Sequence, residues 1–518
     1  MRRFMPLLAA AALVLSSAPA QADLGDQLFK LLPNDGAASD FFGYSVAISG
    51  TTAIVGAQGD DDNGDESGSA YLFDTTTGQQ IAKLLAKDGA ADDRFGRSVA
   101  ISDAIAIVGS KWDDDNGDKS GSAYLFETAT GQQVAKLLPD DGAPNNGFGV
   151  SVAISGTTAI VGAYLDDDNG DYSGSAYLFD TTTGRQILKI LSNDGAFTDF
   201  FGYSVAISGT TAIVGAYNDD DNGSNSGSAY LFDTTTGQQI AKLLPKDGAA
   251  GDRFGFSVAI SGTTAIVGAQ LDDDNGSASG SAYLFDTTTG EQITKLLPDD
   301  GAAGDWFGWS VAISDAIAIV GSKWDDDNGD KSGSAYLFNT TTGQQIDKLL
   351  PDDGAARDNF GFSVAVSDAT AIGGAHGNDD NGALSGSAYL FDAAGGSACP
   401  EASDGEGMVT ICHIPPGNSG NARTIRVSVR AVPAHLAHGD YCGSCEEDNG
   451  LLMRSGGDAG RDPCPTDLDN SGDVGPADLA EFLGAWGPNP GHRADLNGDG
   501  EVGPLDLALV LGNWGPCP

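Results

Sequence analysis

The first 398 residues contain no cysteine, and all six cysteines lie between Cys399 and Cys517. Disulfides and thiolate metal ligands are therefore confined to the last part of the chain. Basic residues are scarce, 26 Lys and Arg against 73 Asp and Glu. A field of that sign makes nucleic acid and anionic lipid poor partners and favours cations or a basic surface. Beyond the N-terminus no apolar run is long enough to span a membrane. No nucleophile motif, phosphate loop or pair of catalytic carboxylates in a defined pocket stands out, so the chain does not read as an enzyme.

The N-terminus, MRRFMPLLAAAALVLSSAPAQA, has a basic start at Arg2 and Arg3, an apolar run and an A-x-A site at Ala20-Gln21-Ala22. It reads as a signal peptide over 1–22, with cleavage before Asp23 and a destination that is secreted, extracellular or at the cell surface. Cleavage takes the formal charge from −47 to −49, because it removes two arginines and no acid.

Seven Phe-Gly pairs follow at Phe42, Phe95, Phe148, Phe201, Phe254, Phe307 and Phe360, always 53 residues apart. Each leads into a Ser-Val-Ala core and then an Ile-Val-Gly-Ala-like segment, whose glycines run from Gly56 to Gly374. A repeat of this length must be one supersecondary unit. GYSVAIS, TAIVGA, GSAYLFD and QQIAKLL read as four strands separated by Gly, Asp, Asn and Thr clusters. Four short strands per unit predict a propeller blade. The segment DQLFKLL (Asp26–Leu32) copies the fourth strand ahead of the first unit, while the last unit ends at GSAYLFDAAGG without one. The N-terminal strand is thus expected to complete the last blade and close a ring. The fold class that follows is mainly β, a seven-bladed propeller of four-stranded blades over 23–396.

Phe42-Gly43, Gly56-Ala57 and their later copies resemble the FG-GAP family, the seven-bladed propellers of integrin alpha subunits and many secreted bacterial proteins. The likeness covers about 26–394. Integrin-type blades often carry a D-x-D-x-D-G calcium loop between the two motifs, and here that hairpin is only SGTTA or SDAIA.

Alternating strand direction puts the DDDNG loops and the blade-to-blade loops on one face, densely acidic, and the Thr-rich turns on the other. The resemblance implies that the acidic face binds the partner, an extracellular protein or a glycan. The DDDNG loops start at Asp60, Asp113, Asp166, Asp219, Asp272 and Asp325, with a shorter copy at Asp379. In an EF-hand frame position 1 would fall on Gly59, Trp112, Leu165, Asn218, Leu271, Trp324 or Gly377, so the first oxygen ligand is missing nearly everywhere. A cation between each loop and the Asp of a neighbouring DG (Asp35, Asp88, Asp141, Asp194, Asp247, Asp300 or Asp353) stays open. A tight Asn-Gly turn with solvated carboxylates is the preferred reading. Near-identical blades offer no singular site.

A small module over 397–446 holds Cys399, Cys412-His413, His435-x-x-His438 and Cys442-x-x-Cys445. Cys412, His413, His435, His438, Cys442 and Cys445 form either a zinc site or, as oxidising export favours, a disulfide-stapled β-rich piece. It resembles a short Cys-His module at the ends of bacterial surface proteins. A linker over 447–463 follows.

Over 464–518 a duplicate appears at an offset of 28 residues. Asp467, Asp469, Ser471, Asp473 and Asp478 place oxygen ligands at positions 1, 3, 5, 7 and 12 of a calcium loop, with Gly472 at 6. Asp495, Asn497, Asp499, Glu501 and Asp506 do the same around Gly500. A helix is expected after each loop. The pair resembles a type I dockerin, a small α-helical EF-hand-like module folded by Ca2+, which implies a cohesin-like partner. Where dockerins often show a Ser-Thr-like pair, this chain has Pro476-Ala477 and Pro504-Leu505. As in dockerins, the chain ends are expected to meet, with a Cys464–Cys517 disulfide.

The leading expectation is a non-enzymatic binding or adhesion propeller with a calcium-dependent docking module. The alternative is a carbohydrate-binding or carbohydrate-active component of a dockerin-linked, polysaccharide-degrading assembly. A structural surface-layer role ranks third.

Overall fold

The structure, a computed structural model, describes residues 24–367 and 369–393, and beyond them only seven short strands between Met408 and Pro516. The chain divides into two compact units, 1–397 and 398–518.

The first unit holds seven four-stranded antiparallel sheets. After β1 (Gln27–Leu31), the first blade is β2 (Phe42–Ser49), β3 (Thr52–Ala57), β4 (Ser69–Asp74) and β5 (Gln80–Leu84). The burial of each strand follows from its composition. In β2 the small alternating residues leave Val46 and Ile48 buried and Ser45 and Ala47 half-buried. The apolar runs of β3 and β4 are buried on both faces, because each blade is covered by a neighbour on either side. The core therefore lies between blades. Ile54, Leu72 and Leu84 of the first blade pack with Phe95, Val99, Ile101, Val108 and Tyr124 of the second. Within the first blade, Phe42 meets Tyr71 and Phe73 edge-on, at centroid distances of 5.5 and 5.8 Å.

The glycines of the repeat motif set the spacing between blades. A Cβ on Gly56 would stand 2.0 Å from the Gly96 carbonyl oxygen of the next blade. Gly96 itself has φ +86°, and its own Cβ would meet the Ser69 carbonyl oxygen at 2.1 Å. Any side chain at either position would force the blades apart.

β1 closes the ring as the sequence predicts. It pairs antiparallel with Ser387–Asp392, Leu31 facing Ala388 and Lys30 facing Tyr389. The same register joins Leu84 to Ala70 and Lys83 to Tyr71 inside the first blade. The Gln27 side-chain oxygen accepts from the Asp352 amide at 3.0 Å, as the Gln80 oxygen accepts from Asn34 at 2.9 Å.

In the second unit Met408–His413 lies between Arg423–Ser428 and Tyr441–Cys442 in a three-stranded sheet. Asp473–Val474 pairs with Gly515–Pro516, and Glu501–Val502 pairs with Gly487–Pro488. Each expected calcium loop is thus laddered to the Gly-Pro that ends the other copy. The expected helices and the linker lie outside the described residues. Among the described residues no helix is long and apolar enough to cross a membrane.

Candidate functional site at the axis of the acidic face

The acidic loops are occupied from within. Asp60 is only 4% exposed, and its Oδ2 accepts from the Tyr71 hydroxyl at 2.9 Å. The Lys83 ammonium reaches Asp60, Asp62 and Asp35 at 3.0, 2.7 and 2.8 Å. Five further blades repeat this around Lys136, Lys189, Lys242, Lys295 and Lys348. In the seventh blade Lys30 comes from β1 to meet Asp353 and Asp380, and Asn378 stands where the other blades have the buried Asp.

This corrects the expectation of solvated carboxylates at the first position, where six blades bury an Asp and the seventh buries Asn378, while the carboxylates that follow, such as Asp61 and Asp62, are exposed as expected. The space between the loop and the DG aspartate holds an ammonium. The reason is the pairing of Tyr71 with Lys83, which sets both side chains on the face that carries Asp60. Burial opposes the Lys83 charge, but Asp35, Asp62 and Asp60 outweigh it and hold the ammonium above its ordinary range. Burial, then Asp60, pushes the Tyr71 hydroxyl well up, so it remains a donor. These clusters hold the loops in place.

The blades do differ at the axis. In the blade order of the ring, the residue after Phe-Gly is Tyr44, Arg97, Val150, Tyr203, Phe256, Trp309 and Phe362. The residue two beyond the second-strand glycine is Gln58, Lys111, Tyr164, Tyr217, Gln270, Lys323 and His376. Both positions open onto the acidic face, where β2 begins and β3 ends.

They form a collar. Arg97 lies over the Tyr44 ring at 4.7 Å, and Tyr44 meets Phe362 at 4.7 Å. Phe362 meets Trp309 at 5.4 Å, Trp309 meets Phe256 at 4.6 Å, and Phe256 meets Tyr203 at 5.0 Å. Val150 is the short member. Lys323, 8% exposed, sets its ammonium 3.1 Å from the Trp309 ring centroid. The His376 ring lies 4.1 Å from Phe362.

Inside the collar is a cavity of about 510 Å³ lined also by the first-strand serines, Ser45 to Ser363, and by no Asp or Glu. Burial pushes Lys323 down to about 7, with Lys331 adding to it. Burial, then Lys323, pushes His376 down to about 4, so this imidazole is neutral at pH 7. Arg97 Nε and His376 Nδ1 are buried without a hydrogen-bond partner. Such atoms in a cavity are candidates for ligand contact.

The residue before Phe-Gly is strained. Phe41, Arg94, Phe200, Arg253 and Trp306 have φ between +54° and +59°. That region costs an L-residue about 1–2 kcal/mol and suits Gly or Asn, which the chain uses only at Gly147 and Asn359. Trp306 stacks over Trp309 at 5.6 Å. Bulky side chains kept in a conformation that disfavours them point to a role outside folding.

Sequence reasoning missed this site because it attended to what the repeats share. The signal was the reverse, three axial positions per blade that vary in an otherwise similar unit. Of the expected calcium ligands, Asp473 and Glu501 lie on described strands, as do Cys412, His413 and Cys442 of the Cys-His set. The remaining expected ligands, with His435, His438, Cys445, Cys464 and Cys517, lie outside the described residues.

Seven four-stranded blades closed by an N-terminal strand define a seven-bladed β-propeller, a scaffold compatible with binding or adhesion. The FG-GAP repeat family matches at residues 26–73, 79–126, 132–179, 185–232, 238–285, 291–338 and 344–391, well over half of the chain. The chain belongs to that family. No curated protein matches it.

Proposed function

We propose that this is a secreted or cell-surface, non-enzymatic binding propeller that takes an extracellular glycan or protein at the axis of its acidic face. Its C-terminal duplicate serves as a Ca2+-dependent docking module for a cohesin-like partner. The observation that carries the first part is the axial cavity itself, ringed by collar positions whose residues differ from blade to blade. For the second part, the ligand spacing of the two loops is joined by their reciprocal ladders with Gly515–Pro516 and Gly487–Pro488.

The test is a glycan and extracellular-protein array probed with the full chain, with Trp309→Ala and with Asp61→Asn. Capture lost in Trp309→Ala and kept in Asp61→Asn supports the axial site. Capture lost only in Asp61→Asn moves the site to the loops. A carbohydrate-active role is the second reading, favoured by the aromatic collar, which suits sugar rings. Release of reducing sugar from a captured glycan would establish it over simple binding.

A further inference from the structure

The geometry points to a small monocarboxylate built on a sugar ring, of the uronic acid class, as the ligand of the axial cavity. This deepens the axial reading and rests on it.

Three observations converge. First, the cavity holds positive charge without a counter-ion. Arg97 and Lys323 line it from opposite parts of the repeat, no carboxylate does, and Arg97 Nε has no partner. The guanidinium lies over the Tyr44 ring, yet a buried cation that faces no carboxylate is costly, and a guanidinium matches a carboxylate with two parallel hydrogen bonds. The lowered affinity of Lys323 for its proton has the same origin, and a bound anion would restore the charge.

Second, the walls suit a ring with hydroxyls. Trp309, Phe256 and Tyr203 follow one another at 4.6 and 5.0 Å and offer apolar faces. Elsewhere on the lining Ser45, Ser151 and Ser204 accept backbone amides of the next blade at 3.0, 3.1 and 3.1 Å, while Ser257 and Ser310 donate to backbone carbonyls. Each of the three acceptors keeps its hydroxyl proton to donate into the cavity. The volume of about 510 Å³ falls within the range of small-molecule sites.

Third, the surroundings limit the charge. Outside the collar lie the DDDNG loops, whose second and third carboxylates face solvent. That rim repels a polyanion and admits a single negative charge entering along the axis.

Titration calorimetry of the full chain with D-glucuronate, D-glucose and sodium acetate tests this. Glucuronate is expected to bind at least tenfold tighter than glucose or acetate. Arg97→Gln should erase that difference, and Lys323→Gln should reduce it, with thermal melting confirming that each variant folds. Equal binding of glucuronate and glucose overturns the inference while leaving an axial binding site. Glucuronate binding that survives in both variants places the carboxylate elsewhere and overturns it too. No heat with any of the three compounds, alongside an array ligand lost in Trp309→Ala, also overturns it and spares the axial reading. An array on which Trp309→Ala loses nothing removes the axial reading itself.

Discussion

The Asn146 side-chain amide donates to Asp166 Oδ2 at 3.0 Å, and in the seventh blade the roles exchange, Asn378 donating to Asp358 Oδ2 at 3.2 Å. In the other five blades both positions are Asp, as at Asp40 and Asp60. Two buried carboxyl groups that face each other lack the N–H that the amide blades place between them. Burial, with the facing aspartate adding to it, pushes Asp40, Asp93, Asp199 and Asp305 up to about 6.

The sign follows from linkage. A carboxyl whose folded value is raised contributes stability that is complete below its unfolded value near 4 and is lost as pH rises through about 6. Asp40→Asn should therefore stabilise the propeller at pH 7.5 by roughly 1–3 kcal/mol and change little at pH 4. Calorimetric melting of wild type and variant at both values checks this. An equal effect at both pH values would contradict a raised Asp40 carboxyl.

Lys83→Met should destabilise its blade by about 3 kcal/mol, because it leaves Asp60 buried and uncompensated. It also leaves Asp35, Asp60 and Asp62 converging on the vacated position with hard oxygen atoms. The variant should gain a calcium-dependent rise in melting midpoint larger than that of wild type, read from melts in chelator and in calcium. An unchanged midpoint in both would mean that the ammonium does not hold the loop.

Deletion of Asp26–Leu32 should expose the edge of Ser387–Asp392 and remove Lys30 from its carboxylates, favouring aggregation. Size-exclusion chromatography reads the result. A truncated chain that stays monomeric and melts like wild type contradicts the closing role of β1.

For the C-terminal duplicate, chelator should remove a helical contribution to circular dichroism from the full chain, and calcium should restore it. Non-reducing peptide mapping should yield a linked Cys464–Cys517 peptide. Closing that loop would stabilise the module by roughly 4 kcal/mol in the chain-entropy model. A free thiol at either cysteine, or a helical signal indifferent to chelator, counts against the module.

The blades were legible in the sequence because a strand that alternates small and apolar residues, and a glycine every 53, leave few other solutions. Closure was legible because DQLFKLL could be matched to QQIAKLL. The Lys83 cluster was within reach, since Lys follows the first loop Asp by 23 residues in six blades. It was passed over because a lysine on an outer strand reads as solvated. The axial site was not legible from any local motif. Arg97 and Lys323 stand 226 residues apart, and only the curvature of the ring brings them to one cavity.

The pairing of Lys30 with Asp353 also orders events in time. The lysine is made 323 residues before its partner. At ribosomal rates of about 5–20 residues per second, β1 exists for roughly 18–73 s before the strand it joins, Ser387–Asp392, has been synthesised. During that interval six complete sheets can form behind it, while its own edge has no mate within the chain. The seam of the ring is therefore the last sheet contact available to the growing propeller, and the place where a neighbouring copy could supply the missing strand.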